Sequence, residues 1–509
     1  MTMRAYLAVM AAILTILGLP QVVQAQTFEI SGVDFSDSVY LDEAELQAVA
    51  APYVARPVEF DDLQKLLGEV QGLYSRAGIV TAQAIIPPQE LVNGVLKIEL
   101  VEASVETVRV EGFGRTQPDF LRRNVSLRPG DLPDFERLER DLRVFDLSHD
   151  VTPTISFEPG EAPGTTVAVI RGEAPKRNVF GVSLDNYGRE ETGEARLTLS
   201  AVRRNLTGVR DTLTAQTTLT SGSVSANIGY SRPVGPGGGR ILGSLSYSTS
   251  QIIAGTFTPI AVSSDNMGVT LAYRRPIRVL PFSHVIVEGG LAYETSESVT
   301  NGLPFSDIKL TELYAQGSYS RRLENSAFSL SLGLRAGSAQ AAGTTQTEGS
   351  FTLLYGSASY ARPLTERFMF DGNLRFQVAP DQNLPVARLF SIGGVGSVRG
   401  YPNDIRSGDS GAVLNLQVSK REPFSVAGDR LSISPFAFVD IGVAVPFRAT
   451  NAGFNSDQDL LYSTGLGALF DLSGRHDVQA VALIGVPLKE TLGYPDPKAR
   501  AYIGLDYKF

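Results

Sequence analysis

The sequence predicts a transmembrane β-barrel of about 16 antiparallel strands, preceded by two small α+β domains with the element order βααββ. Three observations carry this prediction. From residue 176 onward the chain repeats short segments in which apolar and polar side chains alternate. Residues 26–175 instead contain helical stripes, in a pattern that recurs after about seventy residues. The last segment, RAYIGLDYKF, alternates up to the final residue, Phe509.

The composition argues against several classes of protein. With 50 glycines in 509 residues and 19% charged residues, the chain leans toward a barrel. Its formal net charge is −9, and it has no lysine-rich or arginine-rich run. We therefore expect no nucleic-acid partner. Cysteine is absent, which removes disulfides, thiolate metal sites and catalytic thiols from consideration.

Catalysis is poorly supported by the sequence. The chain contains 3 histidines, His149, His284 and His476. Their spacing does not match a cluster of metal ligands, and no nucleophile motif accompanies them. The sequence therefore predicts no metal site, no other cofactor and no enzymatic activity.

Residues 1–25 predict a cleaved secretory signal peptide. Arg4 precedes an apolar core from Leu7 to Leu19, and Val23-Gln24-Ala25 offers the small or modest side chains that a signal peptidase needs. The alternative is a membrane anchor, but the apolar core is shorter than the roughly twenty residues that span a bilayer. We expect the mature chain to start near Gln26.

We place the first α+β domain at residues 26–103. Its clearest element is a helix, because six apolar side chains recur at the helical period. They are Leu63, Leu66, Leu67, Val70, Leu73 and Tyr74. Gly78 then ends the helix at the C′ position. The other predicted elements are a strand from Phe28 to Val33, a helix from Leu41 to Ala51, and strands from Val80 to Ile86 and from Val95 to Val101.

Residues 104–175 repeat this order and form the second predicted domain. Its helical stripe consists of Phe135, Leu138, Leu142 and Phe145. The other predicted elements are a strand from Val105 to Val110, a short helix from Pro118 to Asn124, and strands from Thr152 to Phe157 and from Thr166 to Ile170. A repeat of about seventy residues indicates two copies of one fold. Two α+β domains of unspecified type are the alternative.

Residues 176–509 predict the barrel itself. We count about 16 alternating segments, an even number as in bacterial outer-membrane barrels. No apolar stretch after the signal is long enough for a transmembrane helix, so only a closed barrel would satisfy the backbone in lipid. Tryptophan is absent, which leaves tyrosine and phenylalanine for the aromatic girdles. A soluble β-sandwich is the alternative, and the number of segments and the signal peptide argue against it.

The last strand separates into two faces. Ile503, Leu505, Tyr507 and Phe509 fall on one face. Asp506 and Lys508 fall on the other face, as expected when one side of a strand contacts lipid and the other faces a polar lumen.

A glycine-rich stretch, SIGGVGSVRGY at residues 391–401, lies between the eleventh and twelfth predicted strands. Its glycines allow sharp turns beside a barrel wall. It does not match the dinucleotide-binding fingerprint, because the glycine spacing differs and no helix follows. On the thirteenth predicted strand, Asp440 alternates with the apolar Val439 and Ile441, which predicts that its carboxylate faces the lumen.

These two motifs resemble those of two-partner secretion transporters, which share a superfamily with BamA. The tetrapeptide Val398-Arg399-Gly400-Tyr401 resembles the signature of their inward-folded barrel loop. Phe438, Asp440 and Gly442 resemble the strand motif against which that loop rests. The resemblance implies that residues 390–409 fold into the lumen and that Arg399 pairs with Asp440. The alternative is an exposed Arg399 on a surface loop, where an ion pair contributes little.

The resemblance extends to both ends of the chain. The segment from Tyr74 to Ala103, with its proline-glutamine turn, resembles the first POTRA domain of these transporters. Tyr502, Gly504, Tyr507 and Phe509 resemble the C-terminal signal that the barrel-assembly machinery recognises. Well-known relatives begin with a helix that plugs the pore, whereas only Gln26 and Thr27 precede the first predicted strand here, so we expect no plug helix.

The resemblance implies a transporter in the outer membrane of a Gram-negative bacterium, with two POTRA domains in the periplasm. Such a transporter recognises an unfolded, β-rich exoprotein and secretes it through its barrel without nucleotide hydrolysis. The expected partners are a large haemolysin-like or adhesin-like exoprotein, outer-membrane lipid, and the barrel-assembly machinery during biogenesis. The alternatives are a BamA-type assembly factor and a simple diffusion porin.

Overall fold

The computed structural model describes residues 27–255, 258–343, 348–380, 383–420, 422–426, 429–447, 459–473, 477–491 and 494–509. The expected signal peptide at residues 1–25 and His476 lie outside these ranges. Within them, no helix has the length and apolar character needed to cross a membrane. The chain forms two compact units: one holds residues up to 109 with 127–135 and 155–169, and the other holds 110–126, 136–154 and 170–509.

The first α+β domain has both predicted helices and the two predicted strands that follow them. Its helices are α1 Glu43–Ala50 and α2 Phe60–Arg76, and its strands are β1 Phe28–Glu29, β2 Gly32–Phe35, β3 Pro57–Val58, β4 Ala82–Ile85 and β5 Val95–Glu102. The central strand β5 pairs in parallel with β2 and antiparallel with β4. The sequence predicted one strand where β1 and β2 lie. The structure divides this run because β1 pairs separately with β3.

Helix α2 shows how the sequence determines this domain. Its apolar stripe is buried against the sheet side of the domain, with Leu66, Val70 and Tyr74 fully inaccessible. After the helix, Gly78 adopts a φ of +74°, which favours glycine. The N–H of Ile79 donates to the carbonyl of Tyr74 at 2.9 Å, which satisfies a helix-end acceptor as in a Schellman motif.

The region predicted as the second α+β domain, residues 104–175, contains helices α3 Pro118–Arg123 and α4 Phe135–Ser148 with strands β6 Ser104–Glu111, β7 Thr154–Pro159 and β8 Thr165–Arg171. The two compact units divide this region between them. The strands form a sheet in the order β6-β8-β7. Just after α4, the ring of His149 stacks on Phe145 with a centroid distance of 4.1 Å. Burial lowers the pKa of His149 to about 4. It is therefore a neutral packing residue near pH 7.

The barrel is closed and has 16 antiparallel strands, which confirms the predicted fold. Its strands are β9 Asn178–Asp185, β10 Arg196–Arg204, β11 Thr212–Leu219, β12 Ser223–Pro233, β13 Arg240–Gln251, β14 Val262–Leu280, β15 Ser283–Thr300, β16 Leu303–Leu323, β17 Ser326–Gly343, β18 Gly349–Pro363, β19 Phe368–Val378, β22 Ser410–Lys420 continued by β23 Glu422–Val426, β24 Asp429–Val445, β25 Leu460–Ser473, β26 Asp477–Pro487 and β27 Arg500–Lys508. Strands β22 and β23 count as one, because both pair with β24.

The first and last strands close the barrel. Strand β27 pairs with β9 from Gly504 opposite Asp185 to Lys508 opposite Gly181. On the lipid-facing side of β27, Ile503 is 63% exposed, whereas its neighbour Tyr502 faces inward and is 5% exposed. The alternation of the strand thus separates a lipid face from a lumen face.

The segment between β19 and β22 positions the site. Within it, β20 Phe390–Ile392 and β21 Arg406–Gly408 form a short antiparallel hairpin. A single 3₁₀ turn at Val386–Arg388 precedes this hairpin. Because β19 and β22 are the eleventh and twelfth strands, the glycine-rich stretch is the connection between them.

Candidate functional site

The glycine-rich stretch lies inside the barrel and forms an inward-folded loop. Ile392, Val398 and Tyr401 of the loop are fully buried, and they share an apolar cluster with residues of the wall. The wall residues of this cluster include Val413, Ala444 and Leu461. Burial of these side chains holds the loop against one part of the wall.

At the centre of the loop, Arg399 and Asp440 form a bidentate ion pair. Nε and Nη2 of Arg399 each donate to a different carboxylate oxygen of Asp440, both at 2.8 Å. The backbone N–H of Arg399 donates to the same carboxylate at 3.0 Å. The Arg399 guanidinium also lies over the ring of Phe438, with 3.5 Å between its central carbon and the ring centroid. A planar guanidinium is suited to this combination of a carboxylate and an aromatic face.

Two further polar residues, which belong to no predicted motif, complete the contact. Nη1 of Arg399 donates to Oε1 of Gln417 at 3.0 Å. Nδ2 of Asn415 donates to Asp440 at 2.8 Å and to the carbonyl of Ser397 at 2.7 Å. Asn415 lies opposite Asp440 in the register of β22 and β24. No local sequence motif marks Asn415 or Gln417. Only the strand register identifies them as contacts of the ion pair.

The surroundings leave neither charge uncompensated. The carboxylate of Asp440 is fully buried, and the side chain of Arg399 is 11% exposed. A buried ion pair is tolerated when additional hydrogen bonds satisfy the remaining donors and acceptors. With four donors on the carboxylate, the arrangement meets this condition. The ion pair and its hydrogen bonds can therefore hold the loop across the lumen.

Two glycines allow the loop to approach the wall closely. Gly400 has a φ of +98°, and a Cβ at this position would lie 2.8 Å from the carbonyl carbon of Gly485 on β26. A Cβ at Gly442 would lie 2.5 Å from Cγ2 of Val398. The backbone therefore packs where a side chain would otherwise stand.

The two tyrosines around Gly400 extend this contact to β27. The hydroxyl of Tyr401 donates to the carbonyl of Lys489 at 2.8 Å. The N–H of Gly400 donates to the hydroxyl of Tyr502 at 3.1 Å, and that hydroxyl donates to the carbonyl of Tyr401 at 3.3 Å. Tyr502 was predicted only as part of a C-terminal signal. In the structure it is also a contact of the loop.

The other residues of the predicted C-terminal signal lie away from the loop motif. Gly504 and Tyr507 lie on β27 and pair with residues of β9. The rings of Tyr507 and Phe509 stack with a centroid distance of 5.4 Å. Phe509 and Phe180 exchange two backbone hydrogen bonds of 3.0 Å. These residues join the last strand of the barrel, β27, to its first strand, β9.

The described part of the chain contains no group of His, Asp and Glu side chains arranged to hold a metal ion. The site is a set of contacts between the inward-folded loop and the barrel wall.

Comparison with known proteins places these features in a family. The model of the haemolysin secretion/activation proteins ShlB/FhaC/HecB matches residues 164–468, and that of the ShlB-type POTRA domain matches residues 28–103. The outer membrane transporter CdiB of Dickeya dadantii is 26% identical over 410 residues, covering 76% of this chain and 72% of the relative.

Solved structures show the same fold. CdiB from Escherichia coli superposes with a TM-score of 0.67 at 21% identity, covering 97% of this chain and 93% of the other. BamA from Haemophilus ducreyi lacking POTRA domains 1–3 superposes with a TM-score of 0.59 at 13% identity, covering 95% and 100%.

Removal of Arg399 tests the ion pair. Arg399→Ala leaves a buried carboxylate without its cation, so we expect a loss of about 3–5 kcal/mol in stability. The measurement is the temperature at which the purified barrel loses its compact migration in a detergent gel. Arg367→Ala, at an exposed position in the turn between β18 and β19, serves as the matched control. The same unfolding temperature in both variants would contradict the role of the pair.

A pair of glycine variants tests the close approach of the loop. Gly400→Ala introduces a Cβ into the backbone of Gly485 at a strained φ, whereas a Cβ at Gly396 meets nothing within 4 Å. We expect Gly400→Ala to lower the unfolding temperature and Gly396→Ala to leave it unchanged. Equal unfolding temperatures of the two variants would show that the loop does not contact β26.

Proposed function

This chain belongs to the haemolysin secretion/activation family ShlB/FhaC/HecB, and from that premise we propose that it secretes one large, β-rich exoprotein across the outer membrane. The family is one of outer-membrane transporters of the two-partner secretion type. The exoprotein would arrive unfolded in the periplasm, pass through the barrel and fold outside the cell. Folding on the outer side would give the passage its direction without nucleotide hydrolysis.

The single observation that carries this proposal is the loop buried across the lumen. A diffusion porin keeps an aqueous channel, whereas here Arg399 and Asp440 hold a segment of the chain inside the barrel. A loop that an ion pair holds in the lumen, and that can still be displaced, suits a transporter whose pore opens for one partner. The barrel would contact outer-membrane lipid through its apolar outer face, on which Leu313 is 60% exposed.

We assign recognition of the exoprotein to the two POTRA domains, at residues 26–103 and 104–175. In the first domain, β4 lies at the edge of the sheet β2-β5-β4. An extended peptide binds such an edge by adding a strand, with main-chain hydrogen bonds providing affinity. An unfolded, β-rich chain has the backbone that this mode requires.

We further propose that Tyr502, Gly504, Tyr507 and Phe509 act as the signal for the barrel-assembly machinery. Tyr507 and Phe509 lie at the end of the last strand, and Phe509 is 51% exposed. An exposed terminal aromatic side chain suits recognition before the barrel closes.

Deletion of the gene tests the proposed function. The measurement is the amount of a large exoprotein encoded beside this gene that reaches the medium, together with the abundance of other outer-membrane proteins. We expect loss of the exoprotein alone, because one dedicated transporter serves one partner. Complementation with the wild type and with Arg367→Ala should restore secretion, since that substitution lies outside the loop contacts.

A general fall in the abundance of outer-membrane barrels would contradict the proposal. It would identify an assembly factor of the BamA type instead. Continued secretion of the exoprotein would also contradict it.

A further inference from the structure

The inner face of β16–β18 carries a ladder of serines, here called the serine track. Its members are Ser318, Ser320, Ser329, Ser331, Ser357 and Ser359. The register places Ser318 opposite Ser331 and Ser331 opposite Ser357. The next rung has Ser320, Ser329 and Ser359 in the same relation. The track is therefore continuous across three strands.

Open space lies along this track. A cavity of about 430 Å³ is bounded by the track on one side and by Gly396 of the loop on another. A second cavity, of about 510 Å³, is bounded by Ser331 and Ser357 of the track and by Phe390 of the loop. Both cavities contact Ser331 and Ser357. They are thus neighbouring parts of one passage between the wall and the loop.

At its outer end, the passage is bordered by charged and apolar side chains instead of serines. Along the inner face of β16, the polar residues give way to Glu312 and then to the buried Leu310 and Ile308. These apolar side chains pack against Leu384 of the segment that leads into the loop. We call residues 383–389 the loop stem. The stem closes the outer end of the track by apolar packing.

An ion-pair cluster reinforces this closure. Nη2 of Arg388, in the stem, donates to Glu312 at 2.9 Å and to Glu294 at 2.8 Å. The side chain of Glu312 is 1% exposed and that of Arg388 is 11% exposed. Nη1 of Arg335 donates to Glu312 at 3.3 Å. Two cations therefore share Glu312, and only one of them belongs to the stem.

This sharing makes the stem easier to release than the centre of the loop. If Arg388 leaves, Glu312 keeps Arg335 as its counter-ion. If Arg399 leaves, Asp440 loses the only cation paired with it among the described residues. A buried carboxylate without a counter-ion is costly. The stem can therefore move while the ion pair of Arg399 and Asp440 stays in place.

We propose that the serine track is the surface along which the extended exoprotein passes, and that Arg388 closes its outer end by pairing with Glu312 and Glu294. This inference rests on the proposed secretion function. Serine hydroxyls both donate and accept hydrogen bonds, so they can pair with the N–H and C=O groups of any extended chain. They present little apolar surface, which keeps each contact weak and exchangeable.

Four of the six track hydroxyls bond to one another in pairs, so a passing chain would exchange existing hydrogen bonds at these serines. Ser318 and Ser331 lie 2.9 Å apart, and Ser320 and Ser329 lie 3.2 Å apart, measured between their hydroxyl oxygens. Replacing one hydrogen-bond partner by another costs little net free energy.

Site-specific crosslinking in secreting cells tests the track. A photoreactive residue replaces Ser357 in one transporter and Ser246 in a matched control. Both serines are exposed. Ser357 faces the lumen because it lines the two cavities beside the loop. Ser246 faces the lumen because its neighbours Leu245 and Tyr247 point to the lipid side of β13. We expect the exoprotein to crosslink to position 357 and not to position 246. Equal crosslinking at both positions, or none at 357 during normal secretion, would overturn the track. Loss of secretion in the unmodified parent would instead overturn the proposed function, and this inference with it.

Channel conductance in planar bilayers tests the closure by Arg388 without the exoprotein. Arg388→Ala and Glu312→Gln change the lumen charge in opposite directions, yet both remove the buried ion pair between Arg388 and Glu312. We expect an increased conductance in both variants and no change in Arg367→Ala. Compact migration in a detergent gel confirms that each variant is folded. Wild-type conductance in folded Arg388→Ala, or opposite effects of the two substitutions, would overturn the closure.

Discussion

The bidentate ion pair between Arg399 and Asp440 determines where the loop lies inside the barrel. A barrel lumen offers few ways to hold a loop, because every buried polar group must find a partner. Here the carboxylate receives hydrogen bonds from the loop and from β22, and the guanidinium lies over an aromatic ring of β24. The glycines on both sides of the contact allow the backbones to meet. The position of the loop across the lumen follows from these contacts.

The parts of this architecture with a local period could be predicted from the sequence. The stripe that ends at Tyr74 is visible as a helix, because one face of α2 is buried. The alternation around Asp440 indicates a lumen-facing carboxylate. The small β1–β3 pair was missed, since strands of two residues carry no measurable period. The alternation of the barrel strands, by contrast, indicated both their number and their faces.

The partners within the lumen could not be predicted in the same way. Asn415 and Gln417 occupy inward positions, but an inward polar residue looks the same in sequence whether it contacts water or the loop. Arg388 and Glu312 are 76 residues apart, and only the closed register of the barrel brings them together. The structure therefore adds a second attachment of the loop, which leaves the serine track open below it. In the first attachment, the only cation paired with Asp440 among the described residues comes from the loop. In the second, Glu312 is shared between Arg388 of the loop stem and Arg335 of the wall.

The most direct measurement is a disulfide between the loop and β24. The chain contains no cysteine, so Val398→Cys combined with Gly442→Cys introduces the only two thiols. A Cβ at position 442 lies 2.5 Å from Cγ2 of Val398, which is close enough for a disulfide after small adjustments. If the loop rests on β24 in the outer membrane, the disulfide forms in intact cells and an impermeant maleimide labels neither position. Labelling of both thiols from outside, without a disulfide, would show that the loop lies on the surface.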